Sequence, residues 1–135
     1  MAGKKKKLLE GRKWYRYNFF GKAEIVTSAD ETVTDASIAN ISFAGVGAYS
    51  PIPIGKGSKV KIKIFFIDKK GKVQREETAG KVDWISKLGN SYLIGIFFDE
   101  ELNVFRQPLL IKHLAWLINS YNVPQPYKDK RVSIL

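Results

Sequence analysis

The sequence predicts a mainly β domain, a small antiparallel barrel or sandwich, followed by one C-terminal α-helix. Three observations predict it: short apolar segments with strand-like patterns, turn residues at even spacing between them, and a change to helical periodicity after Glu100. The chain has 135 residues, enough for one domain with a core, and 44% of them are hydrophobic. With 13% aromatic residues as well, this composition excludes a disordered chain.

The first predicted strands are two segments rich in Val, Ile and Thr. They run over Lys22 to Ser28 and Thr32 to Ser42, and the short segment Ala29-Asp30-Glu31 separates them. An irregular connection follows, because the next segment contains four residues that interrupt strands: Pro51, Pro53, Gly55 and Gly57.

The clearest strand runs from Lys59 to Ile67. Its lysines alternate with Val60, Ile62 and Ile64, which predicts one solvated face and one buried face. The segment Asp68-Lys69-Lys70-Gly71 then predicts a hairpin turn.

Two more strands are predicted after this turn. The first returns from about Lys72 to Trp84, with a bend or bulge near Gly80. A second turn over residues 87–90 leads into the other strand, from Ser91 to Phe98.

The C-terminal helix is predicted from apolar residues that recur at spacings of three and four. These residues are Leu102, Phe105, Leu109, Leu110, Leu114, Leu117, Ile118 and Tyr121. Pro108 suits a first helical turn, and Asn122 with Pro124 can end the helix. We therefore expect a basic flexible N-terminus over residues 1–10, the domain over 11–121 and a flexible tail over 122–135.

Composition limits the classes of function. The formal net charge of +10 favours anionic partners, but its sign does not separate nucleotides, nucleic acids and anionic membranes. The chain has no Cys and one His, His113, which removes thiolate chemistry, the usual triads and zinc sites. We therefore expect no enzyme, no metal and no cofactor. Because no apolar stretch approaches a signal peptide or a membrane span, we expect a soluble, cytoplasmic protein.

Two arginines, Arg12 and Arg16, stand four residues apart in a chain that has 18 Lys and only five Arg. A guanidinium group grips phosphate or a guanine edge with two parallel hydrogen bonds, and a lysine ammonium does not. The pair alone is equally compatible with two surface cations before the first strand.

A second motif follows as Asn40-x-Ser42-x-x-Gly45. Its amide and hydroxyl can read polar edges, and its glycine lets backbone come close to a ligand. The same residues are also ordinary in a tight turn between two strands. Together and in this order, the two motifs predict a binding site for an anionic, guanine-like ligand.

With both motifs the chain resembles the PilZ domain family, receptors for the bacterial second messenger cyclic di-GMP. That family is marked by RxxxR followed, some tens of residues later, by [D/N]xSxxG. Further similar segments are Gly80-Lys81-Val82-Asp83-Trp84 and Tyr92-Leu93-Ile94-Gly95-Ile96-Phe97, so the resemblance covers about residues 10 to 121. It implies a six-stranded β-barrel with the arginine pair on a loop that folds over the ligand.

The resemblance also implies roles for the motif residues. Arg12 and Arg16 would bind phosphate and guanine edges. Asn40 and Ser42 would hydrogen-bond a guanine, and Gly45 would allow close approach of the turn. Ligand binding would change a surface that an unidentified effector protein recognises.

Two positions depart from the commonest family pattern. Asn40 stands where Asp is frequent, so its contact to guanine donors lacks the charge. Gly11 stands where an additional Arg favours a stacked pair of nucleotides, so we expect one nucleotide.

Two alternatives remain open at this point. One is a β-barrel that binds single-stranded nucleic acid, which the net charge suits; the lysine stripe at 59, 61 and 63 disfavours it, because no aromatic residue stands among these three lysines. The other is a PilZ-like adaptor without a ligand. Trp84, which alternates with Val82, is expected in the core, and His113 is expected to pack rather than react.

Overall fold

The computed structural model describes residues 15–121, so the predicted flexible segments 1–10 and 122–135 lie outside the described residues. The described part contains seven strands and one helix. In chain order they are β1 (Tyr17–Asn18), β2 (Gly21–Thr27), β3 (Thr32–Ile41), β4 (Gly45–Ser50), β5 (Lys59–Ile67), β6 (Val73–Leu88), β7 (Ser91–Phe98) and α1 (Pro108–Tyr121).

Six of these strands close into an antiparallel barrel. Around the ring the order is β3, β2, β5, β6, β7 and β4, and β4 pairs with β3 again to close it. The short strand β1 lies beside the end of β3, with Tyr17 opposite Ile41 and Asn18 opposite Asn40. The predicted six-stranded β-barrel with a C-terminal helix is confirmed.

Apolar residues at alternate positions along the strands fill the barrel interior. On β5 the side chains of Val60, Ile62, Ile64 and Phe66 are at most 4% exposed, while Lys59 and its alternate neighbours face outward. This is the alternation that the sequence predicted, because successive side chains of a strand point to opposite faces. Burial of such aliphatic side chains is the main stabilising contribution to the fold.

Three strands differ from the sequence prediction, and the first is the two-residue β1, which was not predicted. The strand β4 follows Ser42 after a short turn and was not predicted, because Gly45, Gly47 and Ala48 give it no strand-like pattern. The strand β6 runs to Leu88, and its register shift lies between Val82 and Trp84 rather than near Gly80.

The helix α1 begins at Pro108, so Pro108 lies in its first turn as predicted. The prediction was wrong for Leu102 and Phe105, which both lie before the helix; Phe105 is 91% exposed. Asn103 Oδ1 accepts hydrogen bonds from the backbone N–H groups of Phe105 and Arg106 at 3.1 and 3.0 Å, which holds a separate turn before the helix. Pro108 separates this turn from the helix, because it has no N–H to donate and disfavours helical backbone at Gln107.

Strand β6 anchors the start of α1. Glu76 Oε1 accepts a hydrogen bond of 2.6 Å from the N–H of Leu110, and Gln107 Nε2 donates to the carbonyl of Glu77 at 3.1 Å. No acidic residue stands in the first turn of α1 itself, so Glu76 supplies the negative charge that a helix N-terminus favours.

His113 packs α1 against the barrel, as expected from its position. It is 9% exposed, and its ring lies 5.8 Å from the ring of Phe19 and 4.8 Å from that of Phe66, between centroids. Burial lowers the pKa of His113, although the charge of Asp68 opposes the shift. Within residues 15–121, no helix combines the length and the apolar character needed to cross a membrane.

Candidate functional site

The pairing of β1 with β3 brings the two predicted motifs to one part of the barrel. Arg16 comes directly before β1, and Tyr17 lies opposite Ile41 at the end of β3. The exposed Arg16 therefore lies near the turn that Ser42 begins. Arg12 lies outside the described residues, so the structure brings together Arg16, Asn40, Ser42 and Gly45.

Ser42 organises the turn between β3 and β4. Its Oγ accepts hydrogen bonds from the N–H groups of Ala44 and Gly45, both at 3.1 Å, and its own N–H donates to the Gly45 carbonyl at 2.8 Å. The residue is only 6% exposed. Both acceptor positions of the hydroxyl oxygen are thus used by backbone N–H groups of the turn. Its O–H makes only a long contact of 3.4 Å with the Gly45 carbonyl oxygen.

Gly45 is required by the approach of β7. A Cβ at this position would lie 2.5 Å from the carbonyl oxygen of Ile96, an atom of the neighbouring backbone. No larger residue fits without separating β4 from β7. The structure therefore gives this glycine a packing reason, separate from the ligand approach that the resemblance implies.

Asn40 faces the outside of the barrel, since its neighbour Ile41 is fully buried inside. It lies opposite Gly47 on β4, and a Cβ at Gly47 would be 3.2 Å from both Nδ2 and Oδ1 of Asn40. The side-chain amide of Asn40 therefore lies over Gly47. A residue with a side chain at position 47 would push the amide away.

The register continues this line across two more strands. Gly47 pairs with Gly95 on β7, and Gly95 pairs with Trp84 on β6. The indole of Trp84 covers Gly95, because a Cβ there would overlap its ring atoms. The row crosses four strands, and the side chains at its two ends lie over the paired glycines in its middle. We call Asn40, Gly47, Gly95 and Trp84 the outer row.

The expectation that Trp84 belongs to the core was wrong. Val82 is 1% exposed inside the barrel, but the register shift after it places Trp84 on the outer face, partly buried against Gly95. A bulge breaks the alternation from which the sequence prediction was made. The signal that could have found it is the pair of small residues, Gly47 and Gly95, which leaves room for flat side chains.

A cavity of about 700 Å³ lies between β1 and α1, beside this site. Arg16 lines it together with Tyr15, Tyr17, Trp116 and Tyr121, among others, whereas Asn40, Ser42 and Gly45 do not. Burial, with a smaller contribution from Tyr15, raises the pKa of Tyr17 strongly, so its phenol stays neutral. Among residues 15–121, no three His, Asp or Glu side chains are grouped to hold a metal ion.

Comparison with known proteins agrees with this architecture. The model of the PilZ domain family matches residues 10–112. The inhibitor of motility MotI/DgrA from Bacillus subtilis is similar at a TM-score of 0.61 and 16% identity, over 81% of this chain and 52% of that one. The PilZ domain of YcgR from Escherichia coli, solved with cyclic di-GMP, is similar at a TM-score of 0.53 and 14% identity, over 84% and 98% of the two chains.

The two similarities differ in how much of the known protein they cover. This chain spans about half the length of the Bacillus subtilis protein. At identities of 16% and 14%, the two structures show a shared fold. No curated protein matches the chain.

Proposed function

The chain belongs to the PilZ domain family, and from this premise we propose that it is a non-enzymatic receptor for cyclic di-GMP. The observation that supports this most is the β1–β3 pairing, because it sets Arg16 of the first motif beside the Asn40–Gly45 segment of the second. A bacterial messenger receptor needs both motifs on one surface. We expect it to act in the cytoplasm, on the sequence grounds given above.

The chemistry of the ligand suits the residues on this surface. Cyclic di-GMP carries two phosphate charges and two guanines, and each guanine edge has two acceptors that a guanidinium can bridge. Arg12 and Arg16 bind phosphate and guanine edges in this proposal. The amide of Asn40, held over Gly47, hydrogen-bonds a guanine.

Ser42 and Gly45 contribute mainly by shape. The oxygen of Ser42 holds the turn with two backbone donors, while its O–H can turn from a 3.4 Å contact towards a guanine acceptor. Gly45 keeps β4 against β7, so that the turn and the outer row share one surface.

Trp84 extends the proposed site beyond the two motifs. Its indole covers Gly95, the direct neighbour of the Gly47 that the Asn40 amide covers. An aromatic ring in this position offers a stacking surface for a base, a contact of about 1–3 kcal/mol in other nucleotide-binding proteins. Asn40 and Trp84 can therefore contact different parts of one dinucleotide.

An order-of-magnitude estimate supports a useful affinity. Four charge-assisted or bidentate contacts of about 2 kcal/mol each give about 8 kcal/mol; because ordering costs reduce this sum, about micromolar is the upper limit of the affinity that they supply. We expect one nucleotide per chain, since Gly11 stands where an additional Arg favours a stacked pair.

Calorimetric titration of the full-length protein with cyclic di-GMP tests the proposal, with GTP and cyclic GMP as controls. We expect selective binding, and a loss of at least about tenfold in affinity for Arg12→Ala, Arg16→Ala and Asn40→Ala. The matched control is Arg75→Ala, because Arg75 is exposed on β6, opposite Phe65 of β5, and lies outside both motifs. Equal affinity of the wild type and both arginine variants would overturn the proposal.

A role in single-strand nucleic-acid binding is less well supported. Within the lysine stripe on the outer face of the barrel, Lys63 pairs with Glu24 at 3.3 Å and lies opposite Glu77 on β6. These carboxylates interrupt the positive potential that a nucleic acid backbone requires. We further propose that ligand binding orders the Arg12–Arg16 segment and is relayed to an effector protein.

A further inference from the structure

Several large apolar side chains are exposed together between β1, the end of β5 and α1. Phe20 is 96% exposed, Ile67 is 62% exposed and Tyr121 is 63% exposed. With Trp116 and Leu117 they line the cavity of about 700 Å³. We call these five residues the apolar groove. Exposed apolar surface grouped in this way is typical of an interaction site.

A cluster of lysines borders the groove. A second cavity, of about 190 Å³, shares His113 and Trp116 with the first. Its other lining residues include four lysines, which we call the lysine rim: Lys69, Lys70, Lys72 and Lys112. The two cavities therefore form one surface with an apolar part and a cationic part.

Among residues 15–121, the one carboxylate that lines these two cavities is used by its own turn. Asp68 accepts hydrogen bonds from the N–H groups of Lys70 and Lys72, at 2.8 and 2.9 Å, and from Gln74 Nε2 at 2.8 Å. These bonds hold the β5–β6 hairpin and its lysines in place. The lysine rim keeps an excess of positive charge that a partner can neutralise.

The charges of the chain itself argue against three occupants of the groove, namely its two terminal segments and a second copy of the chain. Residues 1–14 carry six cationic side chains and one Glu, and residues 122–135 carry three and one Asp. Both terminal segments, which continue from Tyr15 and Tyr121 at the groove, have the same sign as the lysine rim. A second copy of the chain would bring a further net charge of +10. A flat lipid surface does not fill a concave groove.

We propose that the apolar groove and the lysine rim together form the docking surface for an acidic segment of a partner protein. Large apolar side chains of that segment fill the groove, and its carboxylates face the lysines. The apolar contacts supply most of the affinity, while the charges supply orientation and a salt-dependent association rate. In naming a protein partner, this inference rests on the proposed relay to an effector.

A displayed library of random 16-residue peptides, selected on the full-length protein without cyclic di-GMP, tests the docking surface. We expect the enriched peptides to be acidic and to share at least two large apolar residues. Their affinity should fall at least about tenfold for Phe20→Ser with Ile67→Ser, and for the triple change of Lys69, Lys70 and Lys72 to Glu.

Each test variant has a matched control elsewhere on the surface. Phe105→Ser alters a residue that is 91% exposed and does not line either cavity. The triple change of Lys59, Lys61 and Lys81 to Glu alters exposed lysines on the barrel wall. We expect less than about a twofold change for both controls. Phe20→Ser alone keeps the test valid if the double variant does not fold.

Four results would overturn the docking surface. Two of them concern the peptides: no selected peptide loses affinity in the groove variants, or the enriched peptides are neutral or basic. The third is self-association of the wild type that Phe20→Ser abolishes. The fourth is that the groove variants lose binding to phosphatidylserine vesicles while no peptide binds. Titration of the same variants with cyclic di-GMP separates the two hypotheses. Peptide binding without nucleotide binding would retain the docking surface and reject the receptor.

Discussion

Substitution of Gly45 or Gly47 by Ala should affect different properties: stability at position 45 and ligand affinity at position 47. In Gly45→Ala the new Cβ lies 2.5 Å from the carbonyl oxygen of Ile96, about 0.8 Å closer than an ordinary carbon–oxygen contact of about 3.3 Å. In Gly47→Ala it lies 3.2 Å from Nδ2 and Oδ1 of Asn40, so a movement of a few tenths of an ångström suffices.

The expected magnitudes follow from which atoms must move. The carbonyl of Ile96 belongs to the backbone of β7 within the β4–β7 ladder, so Gly45→Ala strains two paired strands. We expect it to lower the free energy of unfolding by about 3 kcal/mol. A side-chain amide rotates easily, so Gly47→Ala should lower it by less than about 1 kcal/mol. Loss of one hydrogen bond to guanine should nevertheless weaken cyclic di-GMP binding about tenfold.

Urea unfolding and calorimetric titration of both variants, with Asn40→Ala alongside, measure these effects. Gly47→Ala should resemble Asn40→Ala in affinity and the wild type in stability. A Gly45→Ala protein as stable as the wild type would refute the close approach of β7. If Asn40→Ala weakens binding but Gly47→Ala does not, the proposed displacement of the amide is wrong.

Three further predictions concern other described residues. Glu76→Ala should destabilise the fold by about 1–2 kcal/mol in urea unfolding, because the N–H of Leu110 loses its acceptor; Glu77→Ala, the control, should change it little. Since burial lowers the pKa of His113, the folded state binds fewer protons than the unfolded one, and stability should fall as the pH drops below about 6.5. His113→Leu should remove this slope between about pH 7.5 and 5.5, and an unchanged slope would exclude His113 as its origin. Trp84→Ala should weaken cyclic di-GMP binding about tenfold in calorimetry, while Trp84→Phe, which keeps a ring, should lose less; equal binding by all three proteins would exclude stacking.

The parts of the fold that the sequence predicted are those with a strong local period. The strand β5 matches the predicted Lys59 to Ile67, and β7 matches Ser91 to Phe98. In both, apolar side chains line the interior, so the pattern and the burial have one cause. The helix and the place of Pro108 in its first turn were predicted, but the hydrogen bond from the N–H of Leu110 to Glu76 was not, because Glu76 comes from a distant strand.

The candidate site was only partly predictable, because its residues come together through register. No distance between Arg16 and Asn40 follows from the sequence, because β2 separates them along the chain and they become neighbours only when β1 pairs with β3. Motif spacing indicated that the residues belong together. The geometry that holds them depends on a barrel closed by non-local pairs.

Trp84 shows most clearly why local pattern fails at a site of this kind. A strand that alternates perfectly has one inner and one outer face, and Trp84 shares the inner face with Val82 on that rule. The bulge between them moves Trp84 outward, where Gly95 leaves the flat surface that its indole covers. The same shift that defeats the prediction aligns Trp84 with Asn40 across the barrel. A bulge costs hydrogen bonds of the β-ladder, and this bulge is what places Trp84 in the outer row. Its position beside the proposed site is therefore a reason to test Trp84 in ligand binding.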